Sequence, residues 1–299
     1  MGAIRLGELE VTLVQDGTFG LDGGAMFGVV PKTLWEKEKP ADERNRITMV
    51  TNCLLVARGG ELVLVDAAIG DKGDAKFRSI FRIAEDRVTL PEAIRRSGYE
   101  LEEVAHVLLT HLHFDHCGWS TREETGRLVP TFPRARYWIE RGELDHARSP
   151  NPRDRPSYDP RNWEPLFEAG AVELFDDEAE PVAGVRAVKA PGHTRDMCVV
   201  LLDGRPATAS SSEGAGGPGA TAERAVFLAD LAPTRAHVPI PWVMGYDLYP
   251  VTTMETKARW LARAHDEGWL CIFEHEADRP LARLVEEKPG RYRAAPIDI

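Results

Sequence analysis

Cysteine is scarce in this 299-residue chain: Cys53, Cys117, Cys198 and Cys271 lie too far apart for a CxxC metal site or a disulfide framework. Such thiols stay reduced in a cytoplasmic protein, which is the expected location. No apolar run approaches the roughly 18 residues of a membrane helix, so no membrane partner is expected. Residues Met1–Leu6 read as neither a secretory leader nor a myristoylation signal. Basic residues are in deficit, with Lys+Arg 37 against Asp+Glu 48 and a net charge of −11. A surface this acidic is a poor partner for nucleic acid or anionic lipid. Glutamine occurs once, at Gln15, and arginine outnumbers lysine 29 to 8. Both biases fit heat adaptation or a GC-rich genome, and a melting curve separates the two. No repeat with a solenoid-like period is present.

What remains is an ordinary globular composition, 43% apolar and 28% charged. One domain spanning 1–299 is expected, since no linker divides the chain. Strands are expected at Leu9–Gln15, Asn52–Ala57, Leu62–Val65, Val104–Thr110, Arg136–Ile139, Val185–Lys189, Met197–Leu202 and Ala225–Leu228, with Trp269–Phe273 as the last. Thr89 and Glu92 form a capping box for a helix that Gly98 ends, and Thr252 and Glu255 form one for a helix that Gly268 closes. Ser149–Pro165 carries five prolines and reads as a surface excursion. Residues 208–221, almost all Ser, Gly and Ala, read as a mobile hairpin tip. Strands mixed with helices make an α/β sandwich the expected class.

The sharpest feature follows an apolar strand: Thr110-His111-Leu112-His113-Phe114-Asp115-His116-Cys117-Gly118. Imidazoles and carboxylates packed into so few residues are ligands for zinc or a similar borderline metal. Single candidates recur at later strand ends, His193, Asp230 and His275. Alone, each would be read as structural. Together they make five histidines and two aspartates, enough for two metals.

In order and in strand-end context this pattern resembles the metallo-β-lactamase superfamily. The resemblance runs from about Leu9 to His275 and implies an αβ/βα four-layer sandwich with a metal groove at one edge. It implies His111, His113 and His193 on one metal and Asp115, His116 and His275 on a second, with Asp230 bridging. It implies that Asp66 supports a ligand histidine from behind, although the small-residue pattern after it is altered to Ala67-Ala68-Ile69-Gly70. The cofactors implied are two divalent ions, zinc first, with iron, manganese or cobalt as alternatives. The implied reaction is hydrolysis of a small-molecule lactone, carboxylic ester or phosphotriester by a hydroxide bridging the metals, with Asp115 relaying a proton to the leaving group.

Within the superfamily the chain is most similar to the N-acyl homoserine lactonases and methyl-parathion-type organophosphate hydrolases. It departs from the lactonases in one place: Pro233 stands where they carry a tyrosine that contacts the substrate carbonyl. His237 is the candidate replacement. Met26 and Phe27, in an expected lid loop, and Trp119, beside the metal loop, are the other candidate pocket residues. The alternatives are a mononuclear iron persulfide dioxygenase, a glyoxalase II-like thioesterase and a non-enzymatic metal-binding protein. A homodimer is left open.

Overall fold

A computed structural model describes residues 2–206 and 223–298. The hairpin tip expected at 208–221 lies outside the described residues. Among those described, the strands form two seven-stranded sheets and one small hairpin. The first sheet takes β1 (Ala3–Leu6), β2 (Leu9–Asp22), β3 (Arg46–Arg58), β4 (Glu61–Val65) and β5 (Val104–Leu108). The hairpin of β6 (Thr121–Glu124) and β7 (Arg127–Pro130) stands apart, and β8 (Arg136–Glu140) and β9 (Val172–Phe175) complete the first sheet. The second runs in chain order through β10 (Glu178–Val182), β11 (Val185–Lys189), β12 (Cys198–Asp203), β13 (Arg224–Phe227), β14 (Leu270–Ile272), β15 (Leu281–Lys288) and β16 (Arg291–Pro296). Pairing is antiparallel from β1 to β4 and parallel from β4 to β9; in the second sheet only β13 and β14 run parallel.

Consecutive residues of β3 and β12 are buried, so both faces of each sheet's centre are covered. One apolar core lies between the sheets, with Leu54, Val56 and Val63 facing Val200, Phe227 and Ile272. A second packs the first sheet under helices Leu90–Arg96, Arg141–Arg148 and Glu164–Glu168. Helix Pro250–Asp266 covers the second sheet through Trp260, Leu261 and Ala264. The layers are therefore helix, sheet, sheet, helix, the order expected. No described helix is long and apolar enough to cross a membrane.

Several local expectations are corrected. β2 continues past Gln15 because Gly17, at φ +74°, takes up a bulge that shifts its register against β3 and bends the strand onward. β14 is not the last strand; β15 and β16 follow it as an edge hairpin too charged to show an apolar run. Helix Pro250–Asp266 begins before the Thr252 box, with Pro250 in the first turn, where a missing N–H costs nothing. The expected lid loop is a short helix, Gly23–Phe27, capped by the Asp22 carboxylate on Ala25 N. Ser149–Pro165 is no mere surface excursion: it buries Asp154, Tyr158 and Trp163, tied down by Asp154 Oδ2 to His146 Nε2 at 2.6 Å.

Candidate metal centre

The parallel strands β4 and β5 end side by side, and the loops beyond them are laced together. Ala67 N donates to His116 O, Gly118 N to Ala68 O and Trp119 N to Ala67 O, each at 2.6 Å. A Cβ on Gly118 would lie 1.9 Å from Ile69 O, so only glycine permits this approach. Asp66 and Ala68 sit at φ +58° and +48°, a left-handed backbone that L side chains resist. The lacing holds them there and turns the one-turn helix Phe114–Cys117 so that Asp115 and His116 face inward. His193 arrives on the β11–β12 loop, Asp230 on the turn after β13 and His275 just after β14.

The structure brings all seven candidate ligands together. Donor atoms of His111, His113, His193 and Asp230 lie within 4.8 Å of one another, as do those of Asp115, His116 and His275. Asp230 stands between the groups: Oδ2 is 3.2 Å from His193 Nε2 and 3.6 Å from His116 Nε2, and Oδ1 is 3.0 Å from His275 Nε2. All seven side chains are buried.

Four imidazoles are held from behind. His116 Nδ1 is 3.0 Å from Asp66 Oδ2, whose carboxylate also accepts from Thr110 N and Oγ1 at 2.7 Å. His193 Nδ1 is 3.0 Å from Asp247 Oδ1, and His275 Nδ1 donates to Val50 O at 2.8 Å. His111 Nδ1 lies 3.2 Å from Thr110 Oγ1. Fixing one ring nitrogen aims the other. Aimed inward, those nitrogens crowd: His193 Nε2 is 3.0 Å from His113 Nδ1, and His275 Nε2 is 3.3 Å from His116 Nε2. His111 Nε2, 3.9 Å from Asp230 Oδ2, is buried with no hydrogen-bond partner. Buried polar atoms are rarely orphaned. Convergent lone pairs without partners fit a cation.

Electrostatics agree. Burial, then the neighbouring imidazoles, holds His111 and His113 well below the ordinary histidine range, so both rings are neutral donors. Burial would also lower His275, but Asp230 and Glu274 together hold the ring up at about 9. Burial alone would raise Asp230; the surrounding His116, His193 and His275 keep it well below the usual carboxylate range.

A cavity of about 260 Å³ opens on the cluster, walled by Leu21, Met26, Met49, Phe81, Phe114 and Met244. Tyr246 and Arg153 complete its mouth, where the Arg153 guanidinium donates to Gly245 O and to Asp247 O. Of the four expected pocket residues, Met26 alone lines this cavity. Phe27 is buried in a stack between Trp35 and His237, at ring-centre distances of 5.3 and 4.6 Å. His237 is itself buried, bonded to Met26 O at 2.9 Å and Thr234 Oγ1 at 2.8 Å, so it has no reach to a substrate. Trp119 packs into the core under the first sheet. Outside the cluster, His106 accepts from Trp138 Nε1 and His146 is paired with Asp154.

Sequence reasoning missed Asp247 as a support for His193. It also missed Glu274, whose Oε2 is 3.0 Å from His116 Nδ1, and Glu143, behind the first ligand group. Glu274 directly precedes the candidate ligand His275, but nothing in the order of residues says which way a side chain points.

Comparison with known proteins places the chain. Residues 46–275 match the family model described as the metallo-beta-lactamase superfamily. Probable metallo-hydrolases of Mycobacterium tuberculosis and Mycobacterium bovis are each 31% identical over 179 residues, 52% of this chain. The match spans about half the length of those relatives, 54%. A probable metal-dependent hydrolase from Staphylococcus aureus superposes with TM-score 0.83 at 26% identity, covering 99% of this chain and 100% of its own. AidC, a dizinc quorum-quenching lactonase solved with its product, superposes with TM-score 0.76 at 19% identity over 100% and 97%. The motif, the strand-end loops and the match over most of its length agree: this chain belongs to the metallo-beta-lactamase superfamily.

Proposed function

We propose that this chain is a metal-dependent hydrolase with two divalent cations, acting on a small uncharged lactone, carboxylic ester or phosphotriester. One observation carries the reading: seven buried donors converge in two groups that share Asp230. His111, His113 and His193 would hold one cation, Asp115, His116 and His275 the other, and Asp230 both. Two cations held there supply Lewis acidity and make water a nucleophile at neutral pH.

The chain's own residues do the rest. The apolar wall excludes water and orients an apolar substrate. Asp115 faces the same cavity and is placed to carry a proton to the leaving group. Tyr246 enters from the loop before helix Pro250–Asp266. Burial pushes its phenol up to about 12, so it remains a hydrogen-bond donor at neutral pH. Tyr246 lines the cavity, whereas Pro233 and His237 do not. The lactonase AidC among the structural neighbours supports the substrate class.

The test is acid release, followed by pH indicator, on protein loaded with zinc, manganese or cobalt. The substrates are an acyl-homoserine lactone, a γ-lactone, an aryl ester and a phosphotriester. Metal-dependent turnover on one of them is expected, with Asp115→Asn slower by about 100-fold or more at full metal content. Metal-loaded protein inert on all four, or oxygen uptake by the iron form with a persulfide, overturns it.

A further inference from the structure

Glu143 lies in the first turn of helix Arg141–Arg148, outside the seven candidate ligands, and its side chain is buried. The helix start is locked in place. Glu140 caps it by accepting from Glu143 N at 2.8 Å, and Glu140 Oε1 is itself held by Lys189 at 2.8 Å. Gly142 lets this turn press on the loop that carries His193, since a Cβ there would lie 2.5 Å from the Asp196 carboxylate.

From that position one carboxylate reaches three separate segments. Oε1 accepts from Leu112 N at 3.1 Å and from the Tyr158 hydroxyl at 3.0 Å; Oε2 accepts from the Thr194 hydroxyl at 2.6 Å. Leu112 stands between His111 and His113, and Thr194 follows His193. The Tyr158 ring packs on the His113 ring with centres 4.8 Å apart. Each contact is adjacent to a residue of the first ligand group. No hydrogen bond joins Glu143 to Asp115, His116 or His275. Three donors on one buried carboxylate are strong, directional bonds.

We infer that Glu143 is a positioning residue for one cation only: it clamps the His111–His113 loop to the His193 loop and sets the geometry of that group. The inference rests on the ligand assignment proposed above. Replacing the carboxylate by an amide keeps the volume but removes the charge that strengthens all three bonds, and the hydroxyl facing the new NH₂ must reverse and accept.

The test uses Zn²⁺ alone, in competition with a chromophoric chelator. In a His275→Ala background, where the first group is intact, Glu143→Gln weakens Zn²⁺ binding by about 10–100-fold. In a His193→Ala background, where the second group is intact, it changes the affinity by less than about 3-fold. Thr194→Val and Tyr158→Phe each remove one arm and reproduce part of the loss in the first background, which serves if Glu143→Gln does not fold. Equal losses in both backgrounds, or no loss with any of the three variants, overturn the inference. A wild-type chain that binds no Zn²⁺ overturns the ligand assignment and this inference together. A chain that binds Zn²⁺ but ignores all three substitutions removes only the inference.

Discussion

His193 Nδ1 and Asp247 Oδ1 lie 3.0 Å apart, although 54 residues separate them. Asp247 Oδ2 also accepts from Met244 N at 3.2 Å. One buried carboxylate therefore fixes both a candidate ligand and the loop that carries Met244 and Tyr246 into the cavity. Site geometry and pocket shape are coupled through it.

Asp247→Ala is expected to weaken Zn²⁺ binding by about 10–100-fold, because His193 loses the partner that aims its ring. Chelator competition measures it, with circular dichroism as the control for folding. Wild-type affinity in a folded variant would refute the role.

Gly118→Ala is expected to destabilise the chain by about 1–3 kcal/mol or more, since the new methyl meets the Ile69 carbonyl. The displaced loop carries Asp115 and His116, so Zn²⁺ content falls as well. Urea unfolding and metal analysis read the two effects. A variant as stable and as metal-rich as wild type would show that the loops do not need this approach.

Phe27→Ala is expected to cost about 3–5 kcal/mol, the usual loss for a buried aromatic. Its ring is stacked between Trp35 and His237. A pocket residue would instead change KM with little change in stability. Urea midpoints beside KM values on the hydrolysed substrate distinguish the two roles.

Lys257 donates to the carbonyls of His237, Pro239 and Trp242 from a fully buried position. Burial pushes its ammonium down to about 7, against a weaker upward pull from Asp247. The unfolded chain holds that proton up to about 10.4. Between these values the unfolded state binds more protons, so this group makes stability rise with pH. Wild type should therefore gain on Lys257→Met as pH goes from 7 to 10 in paired urea titrations. A constant gap would place the folded pKa near its ordinary value.

Much of the candidate site was legible because ligand chemistry is written in residue type. His111, His113, Asp115 and His116 announce themselves by density, and His193, Asp230 and His275 by following apolar strands. The pocket was not legible. Phe27, Trp119 and His237 are adjacent in sequence to the right features and point elsewhere, while Met49 and Met244 line the cavity with no sequence signal. An apolar side chain looks the same in a sequence whether it lines a cavity or fills a core.

The order of residues by itself determined the layer class, most strand positions and which side chains can hold a cation. Those follow from local periodicity and from functional groups. The tertiary structure alone decided which groups face one another: Asp247 behind His193, Glu143 behind both ligand loops, and Asp230 between two groups. These pairings join segments tens of residues apart, and sequence carries no distance across a fold. Their geometry is set when two sheets pack, because close-packed interiors leave each side chain few directions to point.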